Sequence, residues 1–197
     1  MKNIRNFKKI MLSGIAIAFL SAAVADKNIY TVASDYVVTI HGTSNLHAWD
    51  EKVQKVSGNG TINWNKDGSF DLSGISIKMD VHSIKSDMGS VMDNNTYKAL
   101  KADAHPQIVF TLLGQAKSIL ANANNKIITV NGNLSIAGVT RFVEMKAKVN
   151  MQGKSKLIFE GSQPISMSDY GISAPTALFG TLKTGNDITI NFKVSFQ

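Results

Sequence analysis

Alternation of apolar and polar residues runs through most of this chain, and its longest example spans residues 128–149. From Ile128 to Ile136 every second position is apolar or glycine, with Thr, Asn and Ser between. After Ala137-Gly138 the alternation resumes between Val143 and Val149, with Glu and Lys between. A period of two is typical of strands with one apolar and one polar face. The segment therefore predicts a long antiparallel hairpin that turns at the glycine.

The same alternation recurs along the chain and predicts about eight strands in all. It is clearest at residues 188–196, where every second side chain is apolar. The pattern changes face at Gly74, which predicts a bulge there. Residues 92–102 have helical spacing instead, and Asp93 is their candidate N-cap. The pattern thus predicts an all-β fold, a sandwich or an eight-stranded antiparallel barrel, with one short helix.

Residues 1–25 have the features of a secretory signal peptide. Four basic residues precede an apolar run at residues 10–20, and Ala23-Val24-Ala25 supplies a small-residue cleavage site. The run is shorter than the roughly 20 residues that a membrane span needs. We predict cleavage after Ala25, a periplasmic location, one domain at residues 26–197 and no stable membrane anchor after cleavage. A retained interfacial anchor is the alternative.

Charge and composition exclude several classes of function. The formal net charge is +7, and four of the positive charges lie in the leader, which leaves +3 on residues 26–197. The remaining Lys residues are interspersed with Asp and Glu, so we predict no binding of nucleic acid. The chain has no cysteine, which excludes thiol chemistry and cysteine-ligated zinc.

The sequence shows no motif for catalysis or for metal binding. A Ser–His–Asp triad built from Asp169, His105 and either Ser166 or Ser168 lacks the G-x-S-x-G elbow. The histidines do not have the H-x-H, H-x3-H or H-E-x-x-H spacing of a metal site; they are His41, His47, His82 and His105. We therefore predict no catalytic residue, no metal, no cofactor and no enzymatic activity.

Three segments resemble the YceI-like family, in the family's order and spacing. They are residues 98–110 (K-A-L-K-A-D-A-H-P-Q-I-V-F), 130–143 (V-N-G-N-L-S-I-A-G-V-T-R-F-V) and 166–172 (S-M-S-D-Y-G-I). Residues 42–49 (G-T-S-N-L-H-A-W) are similar to a motif of one subgroup. The resemblance runs from about Tyr30 to Phe196. It implies an exported, lipocalin-like eight-stranded barrel that binds a polyisoprenoid or another long-chain lipid.

One departure from the family pattern bears on this ligand. The family usually has Arg three residues before the aromatic residue that precedes glycine, and this chain has Met167 there. A head-group contact from that loop is therefore unsupported.

The apolar faces of the strands supply the candidate ligand-binding residues, because a barrel of eight strands can hold one small ligand. Gly58, Gly60 and Gly132 lie at inward positions and predict open volume. The alternative is that large neighbouring side chains fill this volume, so that each candidate is ordinary core. The candidate lining residues are Ile77, Phe110, Val130, Leu134, Ile136, Val143, Met145, Ile190, Phe192 and Val194.

Two further segments are candidates for the mouth of the barrel. One is His47-Ala48-Trp49-Asp50, whose imidazole and indole rings could contact the head group of a ligand. The alternative is that Trp49 plugs the barrel end. Residues 168–183 lack strand alternation and form either a lid or a packed connection. The mouth and lid candidates are His47, Trp49, Tyr170, Leu178 and Phe179.

The sequence thus predicts a periplasmic protein that holds a long-chain apolar ligand in its barrel, for sequestration or transport. One alternative is a stress-response or interaction protein with a filled barrel whose loops bind a partner. The other is an enzyme that acts on a small amphiphile. Such an enzyme requires a cluster of ionisable groups inside the barrel, and the inward positions show almost none.

Overall fold

The computed structural model describes residues 28–120, 126–152, 156–177 and 180–197. The predicted signal peptide, residues 1–25, lies outside the described residues, as do Leu178 and Phe179. The described part of the chain contains one α-helix, α1 (Ser90–Ala99), and two short 3-10 turns, Val81–Ser83 and Met167–Tyr170. Its thirteen strands are β1 (Ile29–Thr31), β2 (Val37–Ser44), β3 (Ala48–Val53), β4 (Val56–Trp64), β5 (Ser69–Asp80), β6 (Ile84–Ser86), β7 (Gln107–Leu112), β8 (Gln115–Leu120), β9 (Lys126–Ile136), β10 (Val139–Gln152), β11 (Lys156–Ser166), β12 (Thr176–Ala177) and β13 (Leu182–Phe196).

Most of these strands join into eight extended runs. β1 pairs with β4 and β2 pairs with β3 in nearly the same antiparallel register, so β1–β2 and β3–β4 are two neighbouring runs with short breaks. β5–β6 and β7–β8 are interrupted in the same way. With β9, β10, β11 and β13 they form a meander in which each run is antiparallel to the next. The predicted all-β, lipocalin-like barrel is confirmed, and the number of strands differs because four runs are broken; β12 is a short addition to β13.

The first run and β13 close the barrel. Thr31 and Gln197 exchange two backbone hydrogen bonds of 2.9 and 3.0 Å, and the Ala33 N–H donates to the Ser195 carbonyl at 2.8 Å. Further along, β2 pairs with β13 around Ile40. Each of the eight described runs therefore has a hydrogen-bonded neighbour on both sides, which removes the exposed edges of an open sheet.

The hairpin predicted at residues 128–149 is confirmed as β9 and β10. Ile136 pairs with Val139 across the turn. Both turn residues have positive φ, 49° at Ala137 and 84° at Gly138. This is the backbone of a type I′ turn, whose twist matches that of the two strands.

The bulge predicted at Gly74 is also confirmed. Asn59 pairs with Ser76 and Thr61 pairs with Ser73, so two residues of β5 lie opposite one residue of β4. Gly74 has a φ of 60°, which glycine adopts at little cost. The extra residue changes the face of β5, as the sequence pattern requires.

The predicted helix is present, but its N-cap differs. α1 begins two residues earlier than predicted, and its N-cap is Gly89 rather than Asp93. The buried Asp93 carboxylate instead accepts from the Ser86 N–H at 2.8 Å and from Lys85 Nζ at 2.9 Å. Lys85 Nζ also donates to Tyr97 Oη at 2.7 Å. These bonds hold α1 against β6, across one end of the barrel.

Candidate ligand-binding site

Two cavities lie inside the barrel, and Ile190 lines both of them. The inner cavity lies between the strands and has a volume of about 90 Å³. Seventeen of its eighteen described lining residues are apolar, and the other is Gln163. They are Val38, Leu72, Ile75, Ile77, Met79, Phe110, Leu112, Ile128, Val130, Leu134, Met145, Ala147, Phe159, Gln163, Ile190, Phe192, Val194 and Phe196.

The capped cavity lies where α1 and the segment after β11 cover the barrel end. Its volume is about 110 Å³. The strands contribute Ile40, Trp49, Glu51, Ile108, Ile136, Ile165, Leu182, Thr184, Ile188 and Ile190. The covering segments contribute Met92, Asn95, Thr96, Ala99, Leu100, Met167, Ile172, Pro175 and Thr176. This cavity therefore combines apolar walls with several polar side chains.

The structure brings most of the predicted lining residues together in the inner cavity. These residues are Ile77, Phe110, Val130, Leu134, Met145, Ile190, Phe192 and Val194. Ile136 lines the capped cavity instead. Val143 is buried in the core and lines neither cavity. Contact of these residues with a ligand stays a prediction.

The volume expected at the inward glycines is filled. A Cβ built on Gly60 would lie 2.1 Å from Ile75 Cδ1, and one on Gly132 would lie 2.2 Å from the Phe110 ring. At Gly58 the Cβ would lie 2.3 Å from the Ser76 carbonyl oxygen. The expectation of open space beside these glycines was wrong, because neighbouring side chains and backbone occupy it. The cavities are left between the larger side chains instead.

Trp49 is placed as a plug in the wall of the capped cavity. Its ring lies over Gly42, where a Cβ would be 2.2 Å from the indole, and its Nε1 donates to the Thr43 carbonyl at 3.1 Å. His47 is exposed and lines neither cavity; its Nδ1 lies 2.8 Å from the Ala48 carbonyl oxygen. Of these two residues only Trp49 lines a cavity, and its contact with a head group stays a prediction.

Tyr170 is buried, with 3% of its surface exposed, and lines neither cavity. Burial raises the pKa of its hydroxyl. Its position fits a packed connection better than a lid. The other two lid candidates, Leu178 and Phe179, lie outside the described residues.

Sequence reasoning missed Glu51, the one ionisable side chain among the described residues that line the two cavities. Glu51 is 1% exposed, and the Thr96 hydroxyl donates to its Oε1 at 2.6 Å. Burial raises the pKa of its carboxyl, and the negative charge of Asp93 adds to the rise. A signal was present in the sequence: Glu51 shares its parity on β3 with Trp49 and Val53, so it lies on the apolar face.

The sequence pattern of the YceI-like domain matches residues 24–196. The chain belongs to the YceI-like family. No curated protein is significantly similar to it. Met167, the residue that departs from the family pattern, is 6% exposed and lines the capped cavity. A thioether thus stands where the family pattern usually has a guanidinium.

Three solved structures share the YceI-like fold. A polyisoprenoid-binding domain from Saccharophagus degradans, implicated in plant cell wall breakdown, has a TM-score of 0.67 at 12% identity and covers 86% of this chain and 98% of its own. BcnA of Burkholderia cenocepacia has a TM-score of 0.58 at 20% identity, covering 81% and 95%. A YceI protein of Campylobacter jejuni has a TM-score of 0.55 at 20% identity, covering 74% and 82%. At these identities the likeness concerns the fold.

Neither a metal site nor a spanning helix is found in the described residues. No three His, Asp or Glu side chains of that part of the chain are grouped as metal ligands. None of its helices is long and apolar enough to cross a bilayer.

Proposed function

We propose that this YceI-like protein binds a long-chain lipid of the polyisoprenoid class inside its barrel. The observation that carries the proposal is the inner cavity, whose described lining is apolar except for Gln163. Transfer of apolar surface from water into such a cavity is favourable by about 25 cal/mol per Å², before the cost of association. Apolar cavities inside closed barrels are common ligand sites, but those that hold larger ligands measure about 300–1,000 Å³, so the walls of the inner cavity must move apart to admit a long tail.

The class of lipid is supported by the Saccharophagus degradans domain, which is described as polyisoprenoid-binding and has the same fold. The two cavities also adjoin, because Ile190 lines both of them. In this arrangement an extended tail lies in the inner cavity and the other end of the ligand reaches the capped cavity.

We propose a binding role rather than catalysis, and a periplasmic location. The cavities have one ionisable side chain among their described residues, Glu51, and a single carboxyl is a poor basis for acid–base chemistry. The location rests on the predicted signal peptide at residues 1–25. In the periplasm the protein would sequester the lipid or carry it between membranes.

The filled-barrel alternative is favoured by one observation. Ile75 and Phe110 already occupy the space beside Gly60 and Gly132. If side chains fill the rest of the interior in solution, the protein acts through its outer surface as an interaction protein.

Solvent extraction of the purified, folded protein tests the proposal. We expect one isoprenoid lipid per protein chain by mass spectrometry, and renewed binding of an added isoprenoid after its removal. An extract without lipid, from a protein that also fails to bind added isoprenoids of several lengths, would overturn the proposal and favour the filled barrel.

A further inference from the structure

The capped cavity contains a polar site within apolar walls. One oxygen of the Glu51 carboxyl accepts from Thr96, and no described residue hydrogen-bonds to the other, Oε2. Asn95 lines the same cavity from α1, half-buried, and its amide has no hydrogen bond to another described residue. These two side chains therefore have hydrogen-bonding capacity left for a ligand.

The charges around this site disfavour an anion. The described lining of the capped cavity includes no Lys, Arg or His, and Met167 is apolar. Of the cations at this end of the barrel, Lys85 is bound to Asp93 and Tyr97, Arg141 Nε donates to the Asp169 carbonyl, and neither lines the cavity. A phosphate beside Glu51 would therefore be buried without a counter-ion, which is strongly unfavourable.

The carboxyl itself is suited to a neutral partner. Burial raises the pKa of Glu51, which favours its protonated form. A protonated carboxyl donates one hydrogen bond and accepts another, and an amide does the same. An alcohol also donates and accepts, so its hydroxyl complements both groups.

We propose that Glu51 and Asn95 bind the uncharged hydroxyl end of the ligand, so that the protein selects an isoprenoid alcohol over the corresponding phosphate. This inference rests on the proposed function, since the alcohol's tail lies in the inner cavity. Because the two cavities adjoin at Ile190, the polar end of that tail lies in the capped cavity in the proposed complex.

Titration of the delipidated protein with geranylgeraniol and with geranylgeranyl phosphate tests the inference. Trp49 lines the capped cavity, so tryptophan fluorescence reports binding there. At neutral pH we expect the wild type to bind the alcohol at least about tenfold more tightly than the phosphate. Glu51→Leu should weaken the alcohol about tenfold and leave the phosphate unweakened, which removes the preference. Met167→Arg, which brings a cation to the cavity, should shift the preference toward the phosphate.

Two controls separate selectivity from folding. Glu144→Leu makes the same substitution at an exposed position of β10 that lines neither cavity, and we expect it to retain the preference for the alcohol. Glu51→Gln keeps the size of the side chain and both hydrogen-bonding roles, so it should retain alcohol binding even if Glu51→Leu fails to fold.

The outcomes distinguish the two proposals. Equal binding of alcohol and phosphate by the wild type, or tighter binding of the phosphate, would overturn the selectivity and leave the lipid-binding function standing. An unchanged preference in folded Glu51→Leu would also overturn the role of Glu51. Failure of both ligands to bind would overturn the function and the inference together.

Discussion

The two cavities of this barrel differ in how their walls are made. The inner cavity is enclosed by strands alone, and its one polar lining residue among those described is Gln163. The capped cavity is completed by α1 and the segment after β11, which add Asn95 and Thr96 to the carboxyl of Glu51. Strand alternation thus makes a surface for any apolar chain, and the segments that cover the barrel end add polar groups beside the one that β3 supplies, Glu51.

The largest effect is expected from filling the inner cavity. Ala147 lines it and is 4% exposed, so Ala147→Phe places a ring where the ligand tail would lie. We expect isoprenoid binding to fall by about a hundredfold or more, with an overpacking cost of about 1–3 kcal/mol in stability. Titration calorimetry and chemical denaturation measure the two quantities.

Lys146→Phe is the control, since Lys146 is exposed on the neighbouring position of β10. It should bind isoprenoid like the wild type. Undiminished binding by folded Ala147→Phe would place the ligand outside the inner cavity.

A smaller effect is expected from loosening the cover of the capped cavity. Asp93→Asn removes the charge that binds Lys85 and the Ser86 N–H. We expect a loss of about 2 kcal/mol in the free energy of unfolding, because hydrogen bonds to a buried charge are among the stronger ones. The amides of α1 should exchange their hydrogens faster than those of β9 and β10.

Asp87→Asn is the matched substitution at an exposed ion pair with Lys52, and we expect it to cost less than about 1 kcal/mol. Equal costs for the two variants would show that the Asp93 contacts do not anchor the helix.

The smallest effect is a change in the pH dependence of stability. Because the pKa of Glu51 is raised in the folded state, the folded protein binds the proton of this carboxyl more tightly than the unfolded chain does. This contribution is complete below the ordinary pKa of glutamic acid and is lost as the pH rises through the folded-state value. As the pH rises between these two pKa values, Glu51→Gln should therefore lose less stability than the wild type. The free energy of unfolding, measured at several pH values, checks this. Parallel curves for the two proteins would contradict the raised pKa.

The walls of the inner cavity could be predicted from the sequence because the side-chain period of a strand is fixed. Once Ile128 and Ala147 are paired, the faces of β9 and β10 follow along their whole length. The bulge at Gly74 was predictable for the same reason, since the pattern changes parity there. Eight of the ten predicted lining residues accordingly lie in one cavity.

The capped cavity could not be predicted in the same way. The contact of Thr96 with Glu51 joins residues 45 apart in sequence, and it depends on how α1 crosses the barrel end. The volumes beside Gly60 and Gly132 were also misjudged, because alternation gives the face of a side chain and not the direction in which its neighbours lean. Ile75 and Phe110 lean over the glycines, and only the packed structure shows this.

The pairing of the first run with β13 has a consequence for folding. Thr31 and Gln197 are 166 residues apart, so the contact that closes the barrel has one of the largest loop-closure costs available to the chain. Hairpins such as β9–β10 pair residues that are close in sequence. The first run can pair with β13 only when both ends of the chain come together, and such non-local pairings form slowly. Until this pairing forms, two strand edges are exposed to pairing with other chains. The two cavities therefore form late in folding, at the step where the open strand edges also favour aggregation.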